Sequence, residues 1–168
     1  MKRNQFIRTM GASGILIAGM PLVSFKASAN NDPQLDKELV ATFVGAGHSK
    51  FEVVKALLEE HPTLLNAAHD WKFGDFETAL GAASHVGNKE IAQYLIDKGG
   101  QVNIFTAALF GKIEIVKAML EAFPATLNAK GPHGFTVLHH AIKGGNEALE
   151  VKEYLESLGA TETKIELY

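Results

Sequence analysis

The feature that most limits how this chain can fold is that it repeats itself. The segment Phe51 to Ala67 aligns without gaps to Ile113 to Ala129, and ten of the 17 positions are identical, among them Glu52, Val54, Lys55, Ala56, Leu58, Pro62 and Asn66. The offset of 62 residues, from 51 to 113, is about two units of a repeat roughly 33 residues long. Partial copies lie between and after. Ile91-Ala92-Gln93-Tyr94-Leu95 and Val151-Lys152-Glu153-Tyr154-Leu155 carry the same apolar pattern, and Gly-containing turns follow both. Upstream of two copies stand matching short segments, Thr78-Ala79-Leu80-Gly81-Ala82-Ala83 and Thr136-Val137-Leu138-His139-His140-Ala141.

Each unit reads as a pair of short helices. Val53, Val54, Leu57 and Leu58 fall at helical spacing on one face, and a single pair cannot bury such a stripe. Stacking on the next pair buries it, which makes a quasi-linear core of shared seams. Ala82, Ala83, Ala107 and Ala108 allow the inner helices to approach closely. Gly87, Gly111 and Gly145 supply turns within the pairs, and Pro62 and Pro124 stop their helices. The spacing of the anchors Val54, Ala92, Val116 and Val151 is uneven, at 38, 24 and 35 residues. The segment before the second unit is therefore long, Ala68 to Glu77, and should project with a turn at Gly74 and Asp75. The segment before the third, Gly100 to Phe105, leaves little room for a hairpin.

These units resemble the ankyrin repeat, whose pattern runs Thr-Pro-Leu-His-x-Ala-Ala, a Gly turn, Glu-Ile-Val-x-x-Leu-Leu, then Gly-Ala-x-Val-Asn. The resemblance covers nearly all of residues 35–160, with units at about 35–67, 68–103, 104–130 and 131–160 and a tail at 161–168. It implies an all-α solenoid of about four helix-turn-helix repeats with short or irregular hairpin fingers. It also implies protein binding through hairpin tips and inner helices. The matching positions are Asp75, Glu77, His85 and Val86 in the second repeat, Leu109 and Phe110 in the third, and His133, Phe135 and Lys143 in the fourth, with His48 at the equivalent turn of the first. The stretch from Asp70 to Ala92 is similar to a subgroup of small exported bacterial ankyrin proteins with a Trp-rich finger.

That finger, Trp71-Lys72-Phe73-Gly74-Asp75-Phe76-Glu77, holds the only Trp of the chain. Trp71 and Phe73 are candidates for partner contact, because aromatic residues concentrate at binding hot spots. The competing reading folds these rings back onto the adjacent repeat. Under the first reading Trp71→Ala weakens binding and leaves stability nearly unchanged; under the second it destabilises.

The N-terminus is of a different kind. Residues 1–29 hold Lys2, Arg3, Arg8 and Lys26 and no acid, and Met10 to Phe25 is uncharged and small or apolar. The run is short for a membrane-spanning helix and fits the core of a signal peptide. Ala27-Ser28-Ala29 offers a small-x-small cleavage site, which predicts cleavage after Ala29, a short linker at 30–34, and periplasmic or secreted destination. Arg3 to Arg8 resembles the twin-arginine export motif, with Asn4 where its second Arg would stand; general secretion and a retained anchor are the other routes.

Removing those four positive charges takes the formal charge from −3 to −7 and leaves no Arg. An acidic, Arg-free domain is a poor ligand for nucleic acid or for anionic membrane surfaces. The absence of Cys excludes disulfides and thiolate sites. Seven histidines remain. His133, His139 and His140 lie near one another in sequence and His69 precedes the finger, but a zinc site needs three or four ligands in fixed geometry. No HExxH occurs, and the adjacent His139 and His140 point apart. By the resemblance, His139 is a structural histidine that bonds neighbouring backbone. Asp70, Asp75 and Glu77 near His69 could form an acid/base pair, yet a solenoid groove is open to water. The reading therefore assigns no catalytic residue, no cofactor and no metal. It expects a monomeric, exported protein-binding module, with an accessory or chaperone-like role as the alternative.

Overall fold

The computed structural model describes residues 34–168. The segment 1–29, expected from sequence to direct export, lies outside the described residues. Four helix pairs follow one another: α1 (Lys37–Ala46) with α2 (Phe51–Glu60), α3 (Ala79–Val86) with α4 (Lys89–Asp97), α5 (Ile104–Leu109) with α6 (Ile113–Ala122), and α7 (Val137–Gly144) with α8 (Leu149–Ser157). A two-stranded antiparallel hairpin, β1 (Ala68–Asp70) and β2 (Phe76–Thr78), precedes α3. Among the described residues no helix is long and apolar enough to cross a membrane.

The helices are short, so their ends matter. Side chains of Asp36, Thr78, Asn88, Asn103 and Thr136 each accept a hydrogen bond from a main-chain N–H of the first turn they precede. Each such cap stabilises its helix by about 1 kcal/mol. The two threonines are those of the matching segments in the sequence.

The two best-conserved copies form equivalent layers. Helices α2 and α6 both end in a residue of nearly the same backbone conformation, His61 at φ −129°, ψ 75° and Phe123 at φ −136°, ψ 73°. Each runs into a 3-10 turn opened by Pro, Pro62–Asn66 and Pro124–Asn128. Val54 and Val116 are fully buried and Leu58 and Leu120 nearly so. The expected stripe is narrower than its spacing suggested. Val53 is exposed and Leu57 only partly buried, because a short outer helix meets its neighbours along one edge.

The inner helices stack in a continuous row, α1 on α3, α3 on α5 and α5 on α7, whereas the outer helices touch in two sets, α2 with α4 and α6 with α8. The apolar interior follows suit. One cluster unites the first two pairs with Leu109, and a second unites the last two. Ala82, Ala83, Ala107 and Ala108 are all buried, as close approach of the inner helices requires. Between α3 and α5 the hydroxyls of Ser84 and Thr106 meet at 3.0 Å, satisfying both away from water.

Gly111 shows how closely the last two pairs approach. Its φ is +62°, and a Cβ there would collide with the main-chain carbonyl of Glu147. Gly111→Ala is therefore expected to destabilise by more than about 1 kcal/mol, the strain alone of a positive φ. A urea-denaturation midpoint measures it.

After α8 the chain turns back along the segment preceding α7. The Thr136 N–H donates to the Thr163 carbonyl and the Ile165 N–H to the Gly134 carbonyl, with a bridge between Phe135 and Lys164. Residues 161–168, read from sequence as a tail, thus pair with the fourth repeat.

Candidate functional site

The long segment before the second repeat is the hairpin, turned where the sequence placed the turn. Gly74 has φ +88° and its N–H reaches Asp70 Oδ1 at 3.0 Å. The Trp71 N–H donates to the Asp75 carbonyl at 3.1 Å. Alternation along β2 then sends Phe76 outward and Glu77 inward, where it is 1% exposed.

The short segment before the third repeat has a consequence for the fourth. No hairpin stands between the second finger and residues 131–135, so the two come together. Pro132 lies against Gly81 at the start of α3. Asp75 accepts hydrogen bonds from the His133 main-chain N–H at 2.8 Å and holds the His133 ring at Nδ1, 2.7 Å from Oδ2. His133 adopts φ +57° in doing so.

This docking closes a polar core between the fingers and the turns of the first two helix pairs. His48 comes from the turn between α1 and α2, His85 from the end of α3, Glu77 from β2, and His133 from the fourth repeat. His85 Nε2 lies 2.9 Å from Glu77 Oε1 and 3.1 Å from His48 Nε2. His48 Nε2 and His133 Nε2 lie 3.7 and 3.5 Å from Glu77 Oε2. One donor atom from each of the four residues falls within 4.8 Å of all the others.

An aromatic wall surrounds them. The Trp71 indole N–H donates to Glu77 Oε2 at 2.7 Å. Phe135 stacks between His85 and His139, at 5.0 and 4.1 Å between centroids. His139 Nε2 donates to the His85 carbonyl at 2.8 Å, the bond to neighbouring backbone that the resemblance implied. Burial pushes the Glu77 carboxyl up, but the adjacent His85 ring, the hydrogen bond from Trp71 and the nearby histidines outweigh it and hold the group below its ordinary value. Asp75 is likewise desolvated, and its bonds to His133 hold it below the usual carboxylate range.

The expected contact residues therefore separate into groups. Leu109 is fully buried and belongs to the core. Asp75, Glu77 and His85 are buried too, because the second and fourth fingers fold onto the groove that they were expected to line. Phe110 packs partly against the core, and His133 and Phe135 are half-buried in the wall just described. Trp71 is folded back with 39% of its surface exposed, while Phe73 is 88% exposed. Val86 and Lys143 are exposed. For Trp71 the structure favours the packing role, since truncation would strip a donor from a buried carboxylate.

His48, expected at the matching turn of the first repeat, is brought into this cluster with Glu77, His85 and His133. The histidines that meet are not the ones adjacent in sequence. The only hint was the uneven spacing, which put the second and fourth fingers side by side.

A family model described as Ankyrin repeat matches residues 75–107, from the end of the hairpin through α3 and α4 to the middle of α5. The chain is similar to Ankyrin repeat protein nuc-2 of Neurospora crassa, 27% identical over 138 residues that make up 76% of this chain and 12% of that protein. The matched repeat and this likeness support an ankyrin-repeat protein. Alpha-latrocrustotoxin-Lt1a of Latrodectus tredecimguttatus shares 27% identity over 148 residues, 78% of this chain and 10% of that protein. The chain thus spans about a tenth of the length of these relatives. Ankyrin repeats are protein-interaction modules, and the four stacked pairs belong to that class. This ankyrin domain departs from an open groove at one place, where finger docks on finger.

Proposed function

We propose that this ankyrin-repeat chain is exported and acts outside the cytoplasm as a monomeric protein-binding module, by contact rather than catalysis. The observation that carries the reading is the tip of the second finger. Phe73 is 88% and Phe76 61% exposed, and a soluble domain normally covers such rings. Phe73 meets the Tyr168 ring edge to face, 5.7 Å between centroids. Between the second finger and the fourth runs a cleft of about 340 Å³ lined by Phe76, Phe105 and Pro132, which would receive an apolar side chain of the partner. Val86 and Lys143 extend this contact face away from the finger.

Export is supported by the composition of residues 1–29 and tested by mass spectrometry of the mature N-terminus, expected at Asn30. Binding is tested by pull-down from periplasmic or secreted extract. Phe73→Ala should keep stability within about 0.5 kcal/mol, as for a surface substitution, and lose the captured protein. Capture that survives Phe73→Ala and Phe76→Ala together contradicts the finger as the contact.

A further inference from the structure

We propose that His48, Glu77, His85 and His133 bind one divalent transition-metal ion, zinc or a borderline ion of similar preference. The argument begins with protons. The His48 Nδ1 lies 3.0 Å from the Gly45 carbonyl and the His133 Nδ1 2.7 Å from Asp75 Oδ2. Both partners can only accept, so both Nδ1 atoms carry hydrogen. In the neutral rings the Nε2 lone pairs then point into the cluster, toward a carboxylate that is itself electron-rich. Glu77 Oε2 already receives the Trp71 N–H. Its Oε1 is buried and, among the described residues, accepts no hydrogen bond of good geometry, although His85 Nε2 is 2.9 Å away. The His48 and His133 lone pairs and the Glu77 carboxylate repel one another unless a positive charge sits among them.

The geometry suits a metal. Bonds of about 2.0–2.1 Å in a tetrahedron place ligand atoms roughly 3.3 Å apart; here the His85 and His48 nitrogens stand 3.1 Å apart, Glu77 Oε1 lies 2.9 Å from His85, Glu77 Oε2 lies 3.5 and 3.7 Å from His133 and His48, and one donor atom from each residue falls within 4.8 Å of all the others. Three imidazoles and one carboxylate, with no thiolate available in a chain without Cys, favour zinc and its first-row neighbours over calcium or magnesium. The outer partners are those that metal sites use. Asp75 on His133 makes the carboxylate–histidine–metal arrangement, and a backbone carbonyl orients His48. Phe135 against His85 and Trp71 over Glu77 restrict solvent. The site also joins the first, second and fourth repeats, so the ion would lock the docked fingers. This proposal does not depend on the partner-binding role.

The experiment uses untagged protein stripped with chelator and titrated at neutral pH with Zn²⁺ by calorimetry and with Co²⁺ by visible absorption. One equivalent should bind, Co²⁺ should give the intense bands of a tetrahedral site, and Zn²⁺ should raise Tm in a concentration-dependent way. Asp75→Asn keeps the contact with His133 but weakens orientation, and should lower affinity by about ten- to a hundredfold. Glu77→Gln and His133→Ala should abolish stoichiometric binding, with circular dichroism checking that both fold, and His61→Ala, outside the cluster, should change nothing. If a variant fails to fold, the wild-type titration still decides. Absence of saturable Zn²⁺ and Co²⁺ binding to folded wild-type protein, or equal affinity in Glu77→Gln and wild type, overturns the site.

Discussion

Leu109→Ala is expected to lower the free energy of unfolding by about 3–5 kcal/mol, the range for emptying a fully buried leucine site that cannot collapse. The position is chosen by the architecture. The outer helices make their closest mutual contacts within each half of the described solenoid, and the halves are joined chiefly through the inner row. Leu109, at the end of α5, is fully buried and belongs to the apolar cluster of the first two pairs although it lies in the third. A cavity there weakens the coupling between neighbouring repeats as well as local packing. In a solenoid that coupling carries the cooperativity. Urea denaturation followed by helix signal should show the lower midpoint together with a shallower or biphasic transition. A sharp transition with a loss under about 1 kcal/mol contradicts the joint.

The second large effect is in acid. His140 is fully buried. Its Nδ1 donates to the Thr136 carbonyl at 2.7 Å, and its Nε2 has no hydrogen-bond partner among the described residues. Burial lowers its pKa from 6.5 to about 4, since a proton on Nε2 would be a charge without water. The unfolded chain takes up that proton near 6.5 and the folded chain only near 4. Stability from the neutral ring is therefore complete above about 6.5 and is lost as pH falls toward 4, by as much as about 3 kcal/mol. His139, lowered chiefly by its burial, acts in the same direction. Asp75 and Glu77, held below their ordinary values, contribute only at lower pH, once the carboxylate range is crossed. Unfolding free energy measured in chelator between pH 7 and pH 4 should fall steeply. In His140→Leu the slope should be markedly smaller, and an unchanged slope would assign the acid loss elsewhere.

The parts of this molecule that were legible in the sequence are those fixed over short distances. Helix pairs, their turn glycines and the threonine caps at Thr78 and Thr136 are local, and each recurs. The equivalence of α2 and α6 follows because the same residues meet the same neighbours. The long second finger and its turn at Gly74 were likewise visible in the spacing. The candidate site was not legible. His48, Glu77, His85 and His133 belong to three different repeats, and no motif at fixed spacing links them. Asp75, Glu77 and His85 were expected on an open ridge because the third finger was treated only as short. Its shortness lets the fourth finger bond to the second, and that contact turns an exposed acidic pair into a buried one. Trp71 follows from the same event, since its indole finds its partner only where Glu77 is enclosed.

The docking of the fourth finger on the second is thus the claim from which the site, the buried carboxylates and the joined repeats all follow. A double-mutant cycle between Asp75 and His133, in chelator and read by urea unfolding of the single and double alanine variants, tests it most directly. Side chains bonded at 2.7 Å across the fingers should show a coupling of about 1–2 kcal/mol, within the range for contacting residues. Additive effects, with a coupling indistinguishable from zero, would mean that the two fingers do not meet.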